Sequence, residues 1–463
     1  MSRELKNIIL IICDAMRYYN LPIYNYKIKT TPFLDKIKNR CLIFTNAFCC
    51  TNATDPSLAS LYTGKYPSRI GLIHHGVHIK TSELKSINKQ VFLQKLLLQQ
   101  GYLTIAIDIL GRWHRKGFKY YIDPFELQTY KFIHKVARRI RRFTKIYNIA
   151  TKLFRLFKGR TISKPNGKFI TELALNFLNK YPGTKRFFML IHYWDTHMPY
   201  KPPIYMVDNF YQKYKAKYSN VSKNADSVIN YVLNRSWKRF LSSFFKLYGW
   251  EFAKALAAYD ACLFYTDLCL KSLFEKLETL GLLDNTIIII TADHGESLYE
   301  HNIFFDHHGL YEVTVRVPLL IYDEGEGMRG YVHTPVQLVD LFPTILEICG
   351  LRRTLSLMRG LDGLPLSSLL DKVQEDRFLF FEEAHTERKI ALRTRRAKYI
   401  TALNPKDAIC KYCGRIHGGL EELYNLEKDP SEKKNLVYER EEVKALLRKI
   451  LLNKFRRLKG VKI

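Results

Sequence analysis

The chain has 463 residues, of which 47% are apolar and 25% are charged. This composition is ordinary for a globular protein and excludes wholesale disorder, and no apolar run reaches the roughly 18 residues that a membrane-spanning helix needs. The formal net charge of +30 favours anionic partners, whether a membrane surface, a nucleic acid or a polyanionic glycan.

The first predicted element is a buried strand at residues 8–13, which leads directly into Asp14. Arg3 and Lys6 precede it, but the apolar run is too short for the core of a secretion signal. We therefore expect a core strand and a cytoplasmic protein, or one that lies peripherally at a membrane.

Hydroxyl side chains are dense between residues 50 and 69, and a helix is expected to begin there. A hydroxyl at a helix N-terminus beside a cation can be activated as a nucleophile. Thr54 and Ser57 are the candidates, although from the residues alone simple helix capping is the favoured interpretation of both.

Strand-like runs follow at residues 103–109, 187–192, 286–291 and 317–322, with helical segments between them. One helix carries an apolar stripe from Leu270 to Leu280 and is expected to end at Gly281. This alternation predicts an α/β fold, with a large, mostly parallel sheet sandwiched by helices.

The pattern changes near residue 350, where short strand-like segments at 377–381, 390–393 and 398–403 precede a basic amphipathic segment at 443–463. We expect a catalytic α/β domain over residues 1–350. A smaller antiparallel subdomain that ends in a basic helix is expected over 351–463.

A basic insertion is expected at about residues 112–165. Residues 130–160 contain eleven Lys or Arg residues and no acidic residue, with apolar residues at roughly helical spacing. A helix in the interface of an anionic membrane fits this pattern. A surface helix that docks its apolar stripe on the core and keeps its basic face in water fits it as well.

The strand at 286–291 leads into Asp293-His294-Gly295-Glu296. The carboxyl end of a buried strand is where α/β proteins place their chemistry, and an aspartate beside a histidine offers oxygen and nitrogen ligands for a divalent cation. With Asp14, this motif predicts a metal site built from opposite ends of the chain. An aspartate at a strand end also serves commonly as a turn or cap residue.

Nine cysteines without a secretion signal are expected to be reduced. Cys410 and Cys413 form a Cys-x-x-Cys pair near His417, which supplies three of the four ligands of a structural zinc site. A loop with incidental cysteines is the favoured interpretation.

Several motifs in order make the chain resemble a sulfatase-type member of the alkaline phosphatase superfamily along nearly its whole length. Residues 54–69 are similar to the family's nucleophile segment, and residues 188–200 to its central strand and substrate histidine. Residues 259–267 and 282–285 are similar to the helix that leads into the metal strand. Asp306-His307-His308-Gly309 and the segments at 310–318 and 422–436 continue the likeness.

The resemblance implies a role for each matching residue. Asp14, Asp293 and His294 would hold one divalent cation, with the oxygen of Thr54 in contact with it as the nucleophile. His197 would contact the transferred group or protonate the leaving group.

Further anion contacts are implied by the same likeness. His307 or His308 falls where sulfatases carry an anion-binding lysine. Arg112 and His114, in a Gly-Arg-Trp-His motif, would contact the oxyanion.

Three departures from the family pattern bear on the chemistry. Sulfatases carry a cysteine that becomes formylglycine where this chain has Thr54, Leu58 replaces the arginine of that motif, and Ala15 replaces a second aspartate after the first strand. A threonine nucleophile fits phosphoryl transfer better than sulfate release, because its ester must be resolved by water or an acceptor alcohol.

We therefore expect a metal-dependent hydrolase or group transferase that cleaves phosphate or sulfate esters. The alternative is a catalytically silent sulfatase-fold protein that binds anionic membranes or polyanions. Ca²⁺, Mg²⁺ and Mn²⁺ suit the oxygen ligands, and Zn²⁺ is compatible with the imidazole. The expected partners are an anionic ester carried on a glycan or a lipid and an anionic membrane surface, but no specific nucleic acid.

Overall fold

A computed structural model describes residues 5–127, 164–181, 183–218, 225–325, 327–352, 354, 360–370 and 377–460 of the chain. The basic segment at 130–160, for which either a membrane-interface helix or a docked surface helix was expected, lies outside the described residues. None of the helices within the described part is both long and apolar enough to cross a membrane.

The main sheet has eight strands in the order β5-β4-β6-β1-β7-β8-β2-β9. The five strands from β5 to β7 run parallel, and β8 pairs antiparallel with both of its neighbours. The strands are β1 (Asn7–Cys13), β2 (Cys41–Phe44), β4 (Leu103–Ile107), β5 (Tyr120–Ile122), β6 (Phe187–Tyr193), β7 (Thr286–Thr291), β8 (Leu319–Tyr322) and β9 (Gly330–Val332).

The central strands are apolar on both faces because helices cover the sheet on each side. Every residue of β1, β6 and β7 is buried. The helices of this part are α1 (Pro32–Ile37), α2 (Thr54–Thr63), α3 (Pro67–Ile70), α4 (Thr81–Asn88), α5 (Leu93–Gln99), α6 (Gly167–Asn179), α7 (Ile204–Tyr218), α8 (Ala225–Tyr231), α9 (Arg235–Lys246), α10 (Phe252–Thr279), α11 (Glu312–Val315) and α12 (Leu341–Ile348). The predicted α/β fold with a mostly parallel sheet is confirmed.

The longest helix, α10, packs against α1, α6 and α7. It ends one residue before Leu280, and Gly281 takes a φ of +64°, which is the left-handed conformation in which a helix is commonly terminated. The predicted end of this helix is confirmed.

A second sheet of four antiparallel strands lies in the C-terminal part, in the order β11-β12-β13-β14. The sequence pattern predicted three of these strands, and the fourth follows the cysteine-containing loop. The remaining elements are β3 (Ala47–Phe48), β10 (Val336–Gln337), α13 (Leu366–Leu370), β11 (Leu379–Glu382), β12 (Lys389–Arg393), β13 (Ala397–Ala402), β14 (Glu421–Asn425) and α14 (Glu441–Leu458).

The terminal helix and a buried ion-pair network both join the C-terminal sheet to the main body. The terminal helix α14 buries Leu447, Leu451 and Phe455 and packs on β12 and β13 as well as α3. A buried ion-pair network links Glu312 at the start of α11 to Arg393 at 2.9 Å and to Lys398 at 3.1 Å. Both sheets therefore contribute to one packed body around the candidate site.

Candidate active site

Four polar residues lie in a row at the carboxyl edge of the main sheet. Asp108 follows β4, His192 lies near the end of β6, Asp14 follows β1 and Asp293 follows β7. The strand register pairs Ile12 with both His192 and Thr291, so parallel pairing brings these side chains together. This edge is where parallel α/β sheets bind their ligands.

The carboxylate groups of Asp14 and Asp293 lie close together. Asp293 Oδ1 accepts hydrogen bonds from the backbone N–H groups of Ala15, at 3.2 Å, and His294, at 2.9 Å. Asp293 Oδ2 and both oxygens of Asp14 are buried without a hydrogen-bond partner among the described residues. Unpaired buried carboxylate oxygens are costly unless a cation satisfies them.

Two imidazole rings turn their Nε2 atoms toward Asp14. His294 donates from Nδ1 to the carbonyl oxygen of Gly295 at 2.8 Å, and its Nε2 lies 3.6 Å from Asp14 Oδ1. His192 donates from Nδ1 to Asp108 Oδ1 at 2.9 Å, and its Nε2 lies 3.8 Å from Asp14 Oδ2. The second nitrogen of each ring thereby keeps its lone pair, as in histidines that bind metals.

The local electrostatics suit a divalent cation. Burial, together with the negative charge of Asp293, raises the pKa of Asp14 well above its usual range. Burial, with the neighbouring His307, lowers the pKa of His294 well below its usual range, so this ring is neutral. Ligand atoms of Asp14, His192 and Asp293 lie within 4.8 Å of one another, and two carboxylates with neutral imidazole fit a divalent ion.

Thr54 is the first residue of α2, a helix buried along its whole length. Its hydroxyl makes no helix-capping bond, because the cap position is Ala53. Thr54 Oγ1 instead lies 3.4 Å from His294 Nε2. Ser57 is not a cap either, since its hydroxyl donates to the carbonyl oxygen of Asp293 at 2.6 Å. The helix begins at Thr54, within the segment 50–69 where a helix was expected to begin.

Asp55, the next residue of α2, is fully buried and collects the side chains of the Gly-Arg-Trp-His motif. Its carboxylate accepts hydrogen bonds from Arg112 at 2.9 Å, the Trp113 indole at 3.0 Å and His114 at 3.1 Å. His75 lies 2.7 Å away on the same carboxylate. Arg112 and His114, for which the resemblance implied oxyanion contacts, are therefore directed at Asp55.

His197 and His307 lie beside the candidate metal centre. The ring of His307 stacks on that of His294 with a centroid distance of 4.1 Å, and His197 lies 5.6 Å from His307. His197 donates from Nδ1 to the carbonyl oxygen of Met198 at 2.7 Å. Burial and the charge of Lys164 lower the pKa of His197 well below its usual range, so its Nε2 is unprotonated at neutral pH.

A pocket of about 200 Å³ opens next to this centre. Imidazole and aromatic rings dominate its lining, which includes His75, His197, His307, His385, Trp237 and Tyr412. Trp237 and Tyr412 stack with ring centroids 4.6 Å apart. An aromatic wall beside a group of imidazoles suits a substrate that has an apolar or sugar face and an anionic ester group.

His308 points away from this pocket. Its ring lies 5.0 Å from that of His417 and belongs to a second cluster with Cys410 and Cys413. Of the two neighbouring histidines that the resemblance put forward as anion contacts, only His307 lines the pocket.

Several residues of the site were not predicted from the sequence. His192 lies at the end of a predicted strand, as Asp14 does, and that position was the available signal. Asp108 directly follows β4 and carried the same signal, whereas Asp55 gave none, because its role depends on partners distant in the chain. Lys164, whose Nζ donates to the carbonyl oxygens of Trp194 and His197, lies at the edge of the segment outside the described residues.

Family profiles identify the chain over most of its length. Residues 6–351 match the profile described as Sulfatase, and residues 299–459 match one described as N-sulphoglucosamine sulphohydrolase, C-terminal. The chain belongs to the sulfatase family. It is thus a hydrolase of the class that cleaves sulfate or phosphate esters. Sulfatases generally depend on a divalent metal, and the cluster of Asp14, His192 and Asp293 is a candidate site for it.

Alignments with individual relatives cover nearly the whole of this chain. An arylsulfatase of Clostridium perfringens is 25% identical over 96% of this chain and 93% of its own length. An N-acetylglucosamine-6-O-sulfatase of Bacteroides thetaiotaomicron is 24% identical over 93% of this chain and 82% of its own.

Solved structures show the same fold. A protein in complex with its substrate D-glucosamine-2-N,6-O-disulfate superimposes with a TM-score of 0.72 at 20% identity, and the match covers 99% of both chains. The phosphonate monoester hydrolase of Agrobacterium radiobacter gives a TM-score of 0.67 at 18% identity over 98% of this chain and 96% of that one.

Proposed function

We propose that this protein hydrolyses a sulfate or phosphate ester at a single divalent cation, with Thr54 as the nucleophile. The observation that carries the proposal is the position of the Thr54 hydroxyl, 3.4 Å from His294 Nε2 at the N-terminus of a buried helix. The hydroxyl of a threonine that served only as a helix cap would accept a hydrogen bond from a backbone N–H group in the first turn of the helix.

Asp14, Asp293 and His294 would hold the cation, with His192 as a further candidate ligand. When bound, the cation supplies positive charge that acidifies the nucleophile and neutralises the transferred group. Ca²⁺, Mg²⁺ and Mn²⁺ suit the carboxylate oxygens, and Zn²⁺ is compatible with the imidazoles.

The first chemical step transfers the sulfuryl or phosphoryl group to Thr54. The Thr54 oxygen forms a bond to sulfur or phosphorus while the bond to the alcohol oxygen breaks. The hydroxyl proton passes to the free Nε2 of His197 and from there to the departing alcohol, so charge and protons balance. Water then attacks the sulfur or phosphorus atom and the bond to the Thr54 oxygen breaks. Inorganic sulfate or phosphate leaves, and a proton from the water restores the Thr54 hydroxyl.

The remaining residues assist binding and alignment. His307 would face the anionic group, since its ring stacks on His294 and lines the pocket. Arg112 and His114 would act on the nucleophile indirectly, by fixing Asp55 and with it the first turn of α2.

The alcohol part of the substrate is proposed to be a sugar. Trp237 and Tyr412 form a stacked aromatic wall in the pocket, and aromatic side chains bury the apolar faces of ligands well. One relative, the N-acetylglucosamine-6-O-sulfatase of Bacteroides thetaiotaomicron, acts on a sugar sulfate by name. The threonine itself favours a phosphorylated ester over a sulfated one, because its ester with phosphate is readily resolved by water.

The decisive experiment compares Thr54→Val with Thr54→Ser. Valine keeps the shape of the side chain without the oxygen, whereas serine keeps the oxygen. We expect Thr54→Val to lose at least roughly 10⁴-fold in kcat and Thr54→Ser to retain measurable turnover, with both variants unfolding at the wild-type temperature.

The substrate panel should include an aryl sulfate, an aryl phosphate, an aryl phosphodiester and glucosamine sulfates, each assayed with Mg²⁺, Mn²⁺, Ca²⁺ and Zn²⁺. Wild-type turnover by Thr54→Val on the best substrate would overturn the assignment of the nucleophile. Faster turnover of the sulfate than of the phosphate esters would reverse the proposed substrate preference.

A further inference from the structure

Cys410 and Cys413 lie in a tight turn between two strand-like segments. Ile409 and Ile416 form an antiparallel bridge, and the N–H of Cys410 donates to the carbonyl oxygen of Arg415 at 2.8 Å. Gly414 takes a φ of +77° and donates to the carbonyl oxygen of Cys410 at 2.8 Å. A glycine is favoured here because other residues adopt this backbone conformation only with strain.

The turn directs backbone N–H groups at both sulfur atoms. The N–H of Cys413 lies 3.5 Å from Cys410 Sγ, and that of Arg415 lies 3.4 Å from Cys413 Sγ. Hydrogen bonds of this kind stabilise thiolate rather than thiol, since the charged form is the stronger acceptor. The pair is thus preorganised to bind a cation.

Two histidines from different parts of the chain complete the cluster. His417 donates from Nδ1 to the carbonyl oxygen of His301 at 3.1 Å, and its Nε2 lies 3.0 Å from Cys413 Sγ. The carbonyl bond at Nδ1 of His417 is the usual support of a metal-bound histidine. His308 Nδ1 lies 3.4 Å from Asp306 Oδ2, which is within ion-pair distance but makes no hydrogen bond.

His308 is 98% buried, yet neither of its ring nitrogens has a hydrogen-bond partner among the described residues. A buried polar ring without a partner costs free energy. A thiol–imidazole pair between Cys413 and His417 would explain those two residues but would leave His308 and Cys410 without a role.

We propose that His308, Cys410, Cys413 and His417 bind one Zn²⁺ in a closed structural site, separate from the Asp14 centre. One ligand atom from each of the four residues lies within 4.8 Å of the others, and all four residues are buried. Tetrahedral zinc holds sulfur at ~2.3 Å and nitrogen at ~2.0–2.1 Å, so its ligand atoms lie roughly 3.3–3.8 Å apart. Small side-chain shifts reach this geometry.

The ligand chemistry separates this site from the Asp14 centre. Thiolate and imidazole select zinc, whereas carboxylate oxygens favour harder cations. Four protein ligands also leave no open position for water or substrate, which is the mark of a structural rather than a catalytic zinc.

The site would fix one wall of the substrate pocket. Tyr412 lies between the two cysteines, stacks on Trp237 and bonds His385 Nε2 through its hydroxyl at 3.1 Å. His308 precedes Gly309 in the loop that also carries His307 into the pocket. One ion would therefore fix the positions of Tyr412 and His307 relative to each other, although they come from segments about a hundred residues apart.

The test begins with the metal content of the purified full-length protein, measured by mass spectrometry, and continues with replacement of zinc by Co²⁺. We expect one zinc per chain that withstands dialysis against EDTA at neutral pH. The cobalt form should show ligand-field bands of a tetrahedral ion and a thiolate-to-cobalt charge-transfer band. The Asp14 centre contributes no thiolate, so this band reports the Cys410–Cys413 site alone.

Cys413→Ala is compared with Cys349→Ala, because both cysteines are 3% exposed but Cys349 lies outside the cluster. Cys413→Ala should lose the zinc and the charge-transfer band, and its melting temperature should fall by roughly 5–10 °C. Cys349→Ala and Asp293→Asn should keep the zinc and the charge-transfer band. Turnover on the best ester should show a raised KM in Cys413→Ala.

Three results would overturn the zinc site. The first is wild-type protein without tightly bound zinc, and the second is cobalt protein without a thiolate band. The third is a Cys410–Cys413 disulfide found by mass spectrometry in protein prepared without oxidant. The wild-type measurements decide the matter even if Cys413→Ala fails to fold. They are also independent of Thr54, so a zinc site without hydrolase activity would refute only the proposed function.

Discussion

Replacing Asp55 with asparagine tests whether the Asp55 cluster holds the first turn of α2. The carboxylate is completely buried, and its two oxygens face five donors. These are Arg112, the indole of Trp113, His114, His75 and the backbone N–H of Gly76. Asparagine keeps the size of the side chain but removes its charge and turns an amide N–H₂ group toward some of these donors.

The size of the effect follows from these contacts. Burial by itself would raise the pKa of Asp55, but hydrogen bonds from His114 and His75 outweigh it and hold this pKa well below its usual range. A hydrogen bond to a charged group contributes about 1.5–3 kcal/mol, and the substitution weakens at least two of them. We expect Asp55→Asn to lower the free energy of unfolding by about 3–5 kcal/mol.

The pH dependence gives a second readout with a definite sign. Because the folded-state pKa of Asp55 is depressed, its contribution to stability is present above the unfolded pKa of about 3.9 and is lost as the pH falls through the folded value. The difference in unfolding free energy between wild type and Asp55→Asn should therefore be largest near neutral pH and shrink below about pH 4.

Urea denaturation at several pH values measures both quantities. Asp35→Asn is the matched control, since Asp35 pairs with Lys38 at an exposed position with side chains 44% and 38% exposed, and such pairs contribute less than about 1 kcal/mol. Equal denaturation midpoints for Asp55→Asn and wild type at neutral pH would refute the role of the cluster.

Three further predictions concern other parts of the molecule. Asp293→Asn should abolish binding of the catalytic cation in calorimetric titration and reduce kcat by at least roughly 10²-fold, and unchanged binding would remove Asp293 from the ligand set. Glu312→Gln should lower the unfolding free energy by about 3–5 kcal/mol, because it leaves Arg393 and Lys398 buried with too little negative charge; a loss below about 1 kcal/mol in urea denaturation would contradict this reasoning. Trp237→Ala should raise KM for a sugar ester roughly tenfold with little change in kcat, and equal KM values would exclude the aromatic wall as a sugar contact.

Acid sensitivity is expected from the same Glu312 network. Burial opposes ionisation of Glu312, but the charges of Arg393 and Lys398 lower its pKa to about 2. The folded pKa lies below the unfolded value, so this stabilisation is present above about pH 4.3 and is lost as the pH falls toward 2.

Local sequence patterns were sufficient for the strands and for part of the site. The strands β1, β6 and β7 are continuous apolar runs because helices cover both faces of the sheet, and such runs are recognisable without any long-range information. Asp14 and Asp293 were predicted as a pair because parallel strands deliver their carboxyl ends to one edge.

Partnerships between distant segments were not accessible in this way. His307 and His308 are neighbours in sequence, but the fold turns one into the pocket and the other toward Cys410 and Cys413. Arg112 and His114 were expected at the oxyanion, whereas tertiary packing directs them at Asp55.

The order of apolar and polar residues thus determined which segments become strands and which acidic residues end them, because those properties depend on neighbours a few positions away. Only the tertiary structure decided that His192 joins the row beside Asp14 and that His308 lies beside Cys410, Cys413 and His417. These side chains come together through strand register and loop packing, so the local sequence shows where each residue stands but not which residues it meets.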